Sequence, residues 1–158
     1  MIYTSRLDLS AHVRKGSIAL LQARLSDALD LEAQTKQAHW NVKGRDFMQL
    51  HELFDRLHTR LEEFVDMLAE RVTMLGGVAD GRVQTTAKQS TLYEYDLRTS
   101  TGEQHLKAIA AVLGQFSKTV RMDIDASTAL GDTDTADLFT QLSRETDKQL
   151  WFVEAHLM

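Results

Sequence analysis

The stretch RDFMQLHELFDRLHTRLEEFVDMLAERVTMLGG, residues 45–77, decides the fold. Its apolar side chains recur every three or four residues, which is the period of one buried face of an α-helix. That face comprises Phe47, Leu50, Phe54, Leu57, Leu61, Phe64, Leu68 and Leu75, with Arg71 and Val72 at its one gap. Gly76 and Gly77 end the pattern. We therefore predict a helix from about Arg45 to Leu75.

Three further stretches repeat this periodicity. The first helix is predicted from Ser5 or Ser10 to Trp40. Another follows Ser100-Thr-Gly-Glu103, which has the pattern of a capping box, and the last is predicted to be capped by Asp134. The apolar positions that define these helices are Ile18, Leu21, Leu25 and Ala28; Leu106, Ile109, Leu113, Phe116, Val120 and Ile124; and Leu138, Leu142, Leu150, Val153 and Leu157. The chain contains no proline, so its helices can run long.

The segment between the second and third long helices, residues 76–99, is far longer than a turn between antiparallel neighbours requires. If mostly extended, it can cross the whole length of a helix of roughly 45 Å. The two helices that it joins are then parallel, which is the topology of ferritin-like four-helix bundles. TLYEY, residues 91–95, is predicted to form a short helix within this crossover. The expected fold is a single all-α domain over residues 1–158.

Composition excludes several classes of function. Eighteen basic and twenty-three acidic residues give a formal charge of −5. This charge argues against a protein that binds nucleic acid over its whole surface. The absence of cysteine excludes disulfides, zinc–thiolate sites and thiol catalysis. No 18-residue apolar run or signal-peptide pattern is present, so we expect a cytoplasmic protein.

A polar stripe runs beside the apolar face of the second predicted helix. It comprises His51, Asp55, His58, Glu62, Asp66 and Glu70. A solvated helix edge is the ordinary explanation of such a stripe, but Lys and Arg are missing from these positions. Imidazole and carboxylate are ligands that suit iron, zinc or manganese. The stripe therefore makes a metal site a specific hypothesis.

Helical spacing divides these residues into two groups. His51 and Asp55 lie one turn apart, as do Asp66 and Glu70, but Asp55 and Asp66 are separated by about 16 Å of helix rise. One metal ion cannot bind both pairs within a single straight helix. A second copy of the chain, antiparallel about a two-fold axis near residues 60 and 61, would bring Asp55 of one subunit to Asp66 of the other.

His39 is predicted to join the first of these groups. It lies eighteen residues after Leu21, or five helical turns, so it points the way the core face of the first helix points. A core histidine bonded to a backbone carbonyl is the alternative. The chain has no Glu-x-x-His motif, so a di-iron site inside one bundle is not supported. His51-Glu52 does not begin a His-Glu-x-x-His zinc motif either, because position 55 is aspartate.

Four quoted segments carry a resemblance to a known family. HWNVKG at residues 39–44, LHELFD at 50–55, the D-x-x-A-E-R pattern of 66–71 and DKQLWFVEAHL at 147–157 resemble the Dps family of miniferritins, DNA-protection proteins of starved bacteria. The resemblance covers nearly the whole chain. It implies a hollow homododecamer and a ferroxidase centre between two-fold-related subunits, with iron as the metal and zinc or manganese as possible substitutes.

The resemblance also implies site residues and chemistry. His39, His51 and Asp55 would come from one subunit, and Asp66 and Glu70 from its two-fold partner. Two ferrous ions would be oxidised, preferably by hydrogen peroxide, and the ferric product stored as mineral, which would protect the cell from oxidative stress. Trp40 would intercept stray oxidising equivalents, although a large core aromatic is the simpler interpretation.

Three aspartates are candidates for an iron-entry pore. Asp132, Asp134 and Asp137 lie near the start of the last predicted helix, where acidic residues also favour the helix dipole. In the family this region lines acidic pores on a three-fold axis. Glu52, Glu62 and Glu63 are candidates for mineral nucleation, with solvated charge as the simpler view. His58, His105 and His156 have no assigned role.

DNA binding is expected to be weak or absent near neutral pH. The first fifteen residues hold Arg6, Arg14 and Lys15 as their basic residues, and no basic tail follows the last helical positions. Twelve copies at −5 each would carry a formal charge of −60. The alternative function is a nucleoid-associated structural DNA-protection protein with little ferroxidase activity. A third possibility is a plain helical bundle with no metal role, in which the placement of five suitable ligand residues would be a coincidence.

Overall fold

Five helices make up the chain in a computed structural model, which describes residues 2–158. They are α1 (Ala11–Asn41), α2 (Phe47–Met74), α3 (Val83–Gln89), α4 (Gly102–Leu130) and α5 (Thr133–Glu154). No strand occurs among the described residues. Over the same range, every helix is too short or too polar to cross a membrane. The predicted all-α class and the four long helices are confirmed.

The four long helices pack with antiparallel neighbours. Between α1 and α2, Lys36 contacts Asp55 and Glu32 approaches His58. Residue numbers therefore fall along α1 as they rise along α2, so the two helices are antiparallel. Between α1 and α4, Arg24 contacts Asp123 and Gly16 lies against Leu130, so these helices are also antiparallel. Between α4 and α5, Ser117 contacts Asp147 and Arg121 contacts Ser143, which gives the same arrangement. Since α1 is antiparallel to both α2 and α4, those two helices run parallel, and a long crossover joins them. This is the ferritin-like bundle that the sequence predicts.

The core fills the space between these four helices. It is built from the predicted apolar faces, and its largest fully buried side chains are Phe54, Phe64, Phe116, Phe139, Leu21, Leu25, Leu31, Leu57, Leu61, Leu68, Leu75 and Ile109. Burying each such side chain contributes roughly 1.5–3 kcal/mol to stability. This packing holds α1 and α2 in a fixed register, and the polar stripe on α2 therefore meets a defined set of α1 side chains.

Two helix caps differ from the predicted ones. The capping box at α4 uses Thr101 and Gln104: the Thr101 hydroxyl accepts from Gln104 N at 3.2 Å, and Gln104 Oε1 accepts from Thr101 N at 3.2 Å. Glu103 pairs instead with Lys107 one turn on. At α5 the cap is Asp132, whose Oδ1 accepts from Thr135 N at 3.1 Å, and Asp134 lies inside the first turn. Both predictions were wrong by one or two residues because neighbouring side chains offered the same chemistry.

The prediction of a helix at residues 91–95 was wrong. The short helix of the crossover is α3, earlier in the chain, and 91–95 is irregular. Its backbone groups are bound by the long helices: Thr91 N donates to Asp27 Oδ1 at 2.7 Å. Likewise Tyr93 N donates to Gln115 Oε1 at 3.0 Å, and Tyr93 O accepts from Gln34 Nε2 at 2.9 Å. These bonds replace the ones that a helix would make within itself.

Candidate metal centre

Two histidines from different helices face each other at one end of the α1–α2 pair. His39 lies in the last turn of α1 and His51 in the second turn of α2. His39 Nδ1 lies 2.9 Å from the carbonyl oxygen of His51, and His51 Nδ1 lies 2.9 Å from the carbonyl oxygen of His39. The two rings stack with centroids 3.7 Å apart. The pair is therefore fixed by two reciprocal hydrogen bonds and a ring stack.

These bonds determine which ring nitrogens are free. A carbonyl oxygen can only accept a hydrogen bond, so each Nδ1 must carry the proton and donate it. In a neutral ring the lone pair then lies on Nε2, and that nitrogen is free to bind a metal ion. A carbonyl that orients the ring through its far nitrogen is the usual support of a metal-binding histidine. The alternative for His39 was a core histidine bonded to a backbone carbonyl. It accounts for the bond of Nδ1 but gives Nε2 no role.

Asp55 lies beside this pair. Its Oδ1 is 3.8 Å from His39 Nδ1, and its side chain is 53% exposed. Lys36 Nζ donates to the same oxygen at 2.6 Å. That hydrogen bond is the main reason why the pKa of Asp55 is lowered, with the charges of Lys36, His39 and His58 acting in the same direction. Three of the five predicted ligands thus lie on neighbouring turns of α1 and α2, with the carboxylate ionised and reachable from solvent.

The other two predicted ligands lie elsewhere on α2. Asp66 and Glu70 are exposed and one turn apart. Because α2 is one continuous helix, Asp66 stands about 16 Å along its axis from Asp55. A single subunit therefore presents two separate groups of ligands. Joining them across a two-fold axis requires a second copy of the chain and stays a prediction.

The simpler interpretation of Trp40, a large aromatic residue in the core, was wrong. It follows His39 at the end of α1, and 67% of its surface is exposed. Its redox role stays a prediction.

The three candidate pore aspartates occupy different environments. Asp132 is only 1% exposed, and its carboxylate binds Arg71 Nη2 at 2.9 Å as well as capping α5. Burial alone would raise the pKa of Asp132, but hydrogen bonds from Thr135 and the Arg71 charge lower it. Asp134 and Asp137 are exposed on the first turns of α5. Asp132 therefore supports the fold, and a pore could draw only on the other two.

The histidines without an assigned role prove to have different surroundings. His105 is fully buried, and its Nδ1 meets the hydroxyl of Tyr95 on the crossover. His156 Nδ1 binds the carbonyl of Phe152 one turn earlier, at 2.7 Å. His58 lies beside Glu32 and Glu62, and the ligand atoms of these three residues lie within 4.8 Å of one another. Sequence reasoning missed this group because Glu32 belongs to another helix.

Comparison with known proteins agrees with the four-helix bundle. A family model described as a ferritin-like domain matches residues 18–158. The chain therefore belongs to the ferritin-like proteins, a class defined by this four-helix bundle. A "DNA protection during starvation protein" of Agrobacterium fabrum is 39% identical over 155 residues, which cover 98% of this chain and 96% of the relative.

Solved structures identify the family within the ferritin-like class. The Dps of Mycobacterium smegmatis superposes with a TM-score of 0.93 at 31% identity, covering 99% of this chain and 94% of that one. DpsC from Streptomyces coelicolor gives a TM-score of 0.95 at 28% identity, covering 100% and 92%. The chain is a member of the Dps family, as the quoted motifs predict.

Proposed function

We propose that this protein is a ferroxidase miniferritin, which oxidises ferrous iron with hydrogen peroxide and stores the ferric product inside a hollow homododecamer. The observation that carries the proposal is the His39–His51 pair, whose bonds through Nδ1 leave both Nε2 atoms free. The Asp55 carboxylate lies near the pair, 3.8 Å from His39 Nδ1. Membership of the ferritin-like class supports iron as the metal handled.

Assembly follows from what one subunit lacks. Two imidazoles and one carboxylate form half of a site, and Asp66 and Glu70 offer two further carboxylates at a distance that one subunit cannot close. In a dimer with its two-fold axis near residues 60 and 61, the partner's Asp66 and the partner's Glu70 would complete the centre. Exposed Trp40 would then be covered at or near this contact. The proposed assembly and the proposed activity therefore depend on the same contact between subunits.

The chemistry of the proposed centre depends on its ligands. Imidazole binds ferrous iron at neutral pH, and carboxylates favour the ferric product. Two ferrous ions each lose one electron, and this electron pair, with two protons, reduces one hydrogen peroxide to two water molecules. Holding two ions together directs peroxide into this two-electron step, so that hydroxyl radical is not released. We expect this activity to protect the nucleoid, with the protein in the cytoplasm.

Anaerobic loading with ferrous iron, followed by hydrogen peroxide, tests the proposal. Ferric absorbance, iron per subunit and particle size are measured on the same sample. We expect fast oxidation at about two irons per peroxide by a particle near twelve subunits. The D66N/E70Q variant should lose this oxidation while staying assembled. E94Q/E154Q, which removes two exposed carboxylates outside α2, is the matched control and should keep it. Oxidation no faster than buffer by the intact native particle would contradict the proposal.

The alternative function is a structural DNA-protection protein, which the name of the Agrobacterium fabrum relative favours. The net charge of −5 per chain opposes it. A gel shift at low salt and pH 7.5 separates the two: we expect no retardation of plasmid at micromolar protein. Retardation that D66N/E70Q retains would establish DNA packing independently of the metal centre.

A further inference from the structure

The group formed by Glu32, His58 and Glu62 repeats the His39–His51–Asp55 half-site along the same two helices. Glu32 lies seven residues before His39 on α1. On α2, His58 and Glu62 lie seven residues after His51 and Asp55. Because α1 and α2 are antiparallel, both shifts move in one direction by two helical turns, or about 10 Å. The same packing register therefore presents one imidazole and two carboxylates at a second position.

His58 differs from the two paired histidines in one respect. Its Nδ1 is buried and has no hydrogen-bond partner, whereas Nδ1 of His39 and of His51 each binds a carbonyl. The nearest acidic oxygen, Glu32 Oε1, is 3.8 Å away, too far for a hydrogen bond. The side chains of His58 and Glu32 are only 19% and 21% exposed. The Glu62 carboxylate also has an oxygen within 4.8 Å of a ring nitrogen of His58. A buried ring nitrogen that has no bond and lies in a group with two carboxylates is a position where a cation would fit.

The charges around this group also favour a cation. Burial raises the pKa of Glu32; the charges of Glu62 and Asp66 act in the same direction, while His58 opposes them. Nearby basic side chains are engaged elsewhere: Lys36 with Asp55, and Arg60 with Glu63. The two glutamates therefore approach each other without an ammonium or guanidinium group between them.

We infer that Glu32, His58 and Glu62 form a second binding site for a divalent transition-metal ion, complete within one subunit. One imidazole and two carboxylates suit zinc or ferrous iron. Ligand atoms around one such ion, at bonds of about 2.1 Å, lie up to about 4 Å apart. The ligand atoms now lie within 4.8 Å of one another, so side-chain rotations that move them by about 1 Å or less would reach this spacing. Three protein ligands leave further positions open to water. Unlike the proposed ferroxidase centre, this site requires no partner subunit.

Zinc binding to the assembled protein tests the inference. Equilibrium dialysis followed by metal analysis counts the zinc bound per subunit. E62Q and E63Q form a matched pair, because each removes one exposed carboxylate from adjacent positions of α2. We expect E62Q to bind about one zinc fewer per subunit than E63Q, and H58Q to show the same loss. Equal binding by E62Q, H58Q and E63Q would overturn the inference.

Two further measurements locate the ion and separate this site from the ferroxidase centre. Anomalous diffraction at the zinc edge should place a peak between Glu32, His58 and Glu62, and no density there at saturating zinc would also overturn the inference. The count is repeated with H51Q added to both E62Q and E63Q. A difference that persists in this background assigns the zinc to the second site. It does so whether or not H51Q lowers iron oxidation, so the two hypotheses can fail separately.

Discussion

His39 and His51 are twelve residues apart, yet each ring donates to the other's backbone carbonyl over the same distance of 2.9 Å. The acceptors are main-chain atoms, so replacing one side chain leaves the other ring's own hydrogen bond in place. The two proposed ligands can therefore be tested one at a time. This separates loss of a ligand from loss of the local fold.

Replacement of His51 is the first test. In H51Q, His39 Nδ1 keeps the carbonyl of residue 51 as its acceptor, while one free imidazole Nε2 is lost. We expect ferrous binding at the centre to weaken by at least about tenfold. Anaerobic titration with ferrous iron measures the affinity, and thermal unfolding should show a midpoint within a few degrees of the native value. Unchanged affinity in a stable H51Q protein would exclude His51 as a ligand.

Lys36 is expected to compete with a metal ion for Asp55. Its ammonium lies 2.6 Å from Asp55 Oδ1, and this hydrogen bond is the main cause of the lowered pKa of that carboxyl. In K36Q the pKa of Asp55 should rise toward its ordinary value, and the carboxylate stays ionised at pH 7. We expect ferrous affinity to increase about two- to fivefold, the range typical of an exposed ion pair. K88Q, on the exposed helix α3, is the control. Weaker binding in K36Q would show that Lys36 supports the centre.

The bundle and the proximity of three candidate ligands could be predicted from the sequence because both depend on the period of the helix. Core residues of α2 recur at helical spacing, and His51 and Asp55 lie one turn apart beside them. His39 could be placed by counting turns from Leu21. These inferences need only the geometry of one regular helix at a time.

The features that were missed depend on contacts between distant segments. Asp132 looked like an exposed acid at a helix start, but Arg71, 61 residues away, pairs with it inside the protein. Residues 91–95 have ordinary helical potential, and Asp27 binds their backbone across 64 residues. Glu32 approaches His58 only once the register of α1 on α2 is known. No local pattern carries this information.

The buried pair of Arg71 and Asp132 should be essential for stability. Asp132 caps α5 through Thr135 N and binds Arg71 Nη2 at 2.9 Å. D132A leaves a mostly buried guanidinium without its partner and removes a cap. We expect a loss of about 3–5 kcal/mol, or a protein that fails to assemble. D132N keeps the capping oxygen and should lose less. Denaturant unfolding of D132N measures this; a native-like midpoint would show that the ion pair contributes little.

Iron entry should depend on Asp134 and Asp137 and not on Asp132. Both side chains are exposed on the first turns of α5, so their replacement leaves the core unchanged. In D134N/D137N we expect slower ferrous uptake with an unchanged unfolding midpoint, because a less acidic opening concentrates cations less. The difference from the native protein should shrink at high salt. Stopped-flow oxidation at low and high ionic strength measures both effects. Equal uptake by native protein and variant would place the entry route elsewhere.

Asp123 should make the protein less stable as pH rises from about 4 to 6. Burial raises the pKa of this carboxyl to about 6; Arg24 opposes that shift and Asp27 adds to it. Between its ordinary pKa and the raised one, the unfolded chain has released this proton while the folded protein still holds it, so stability falls with rising pH and levels off above the raised pKa. D123N removes this titration and keeps an oxygen beside Arg24. We expect D123N to match the native protein near pH 4 and to exceed it by on the order of 2 kcal/mol at pH 7.5, a few degrees in unfolding temperature. Calorimetry of both proteins across this range isolates the difference from all other titrating groups. A gap that is constant with pH, or that favours the native protein at pH 7.5, would show that Arg24 fully compensates the buried charge.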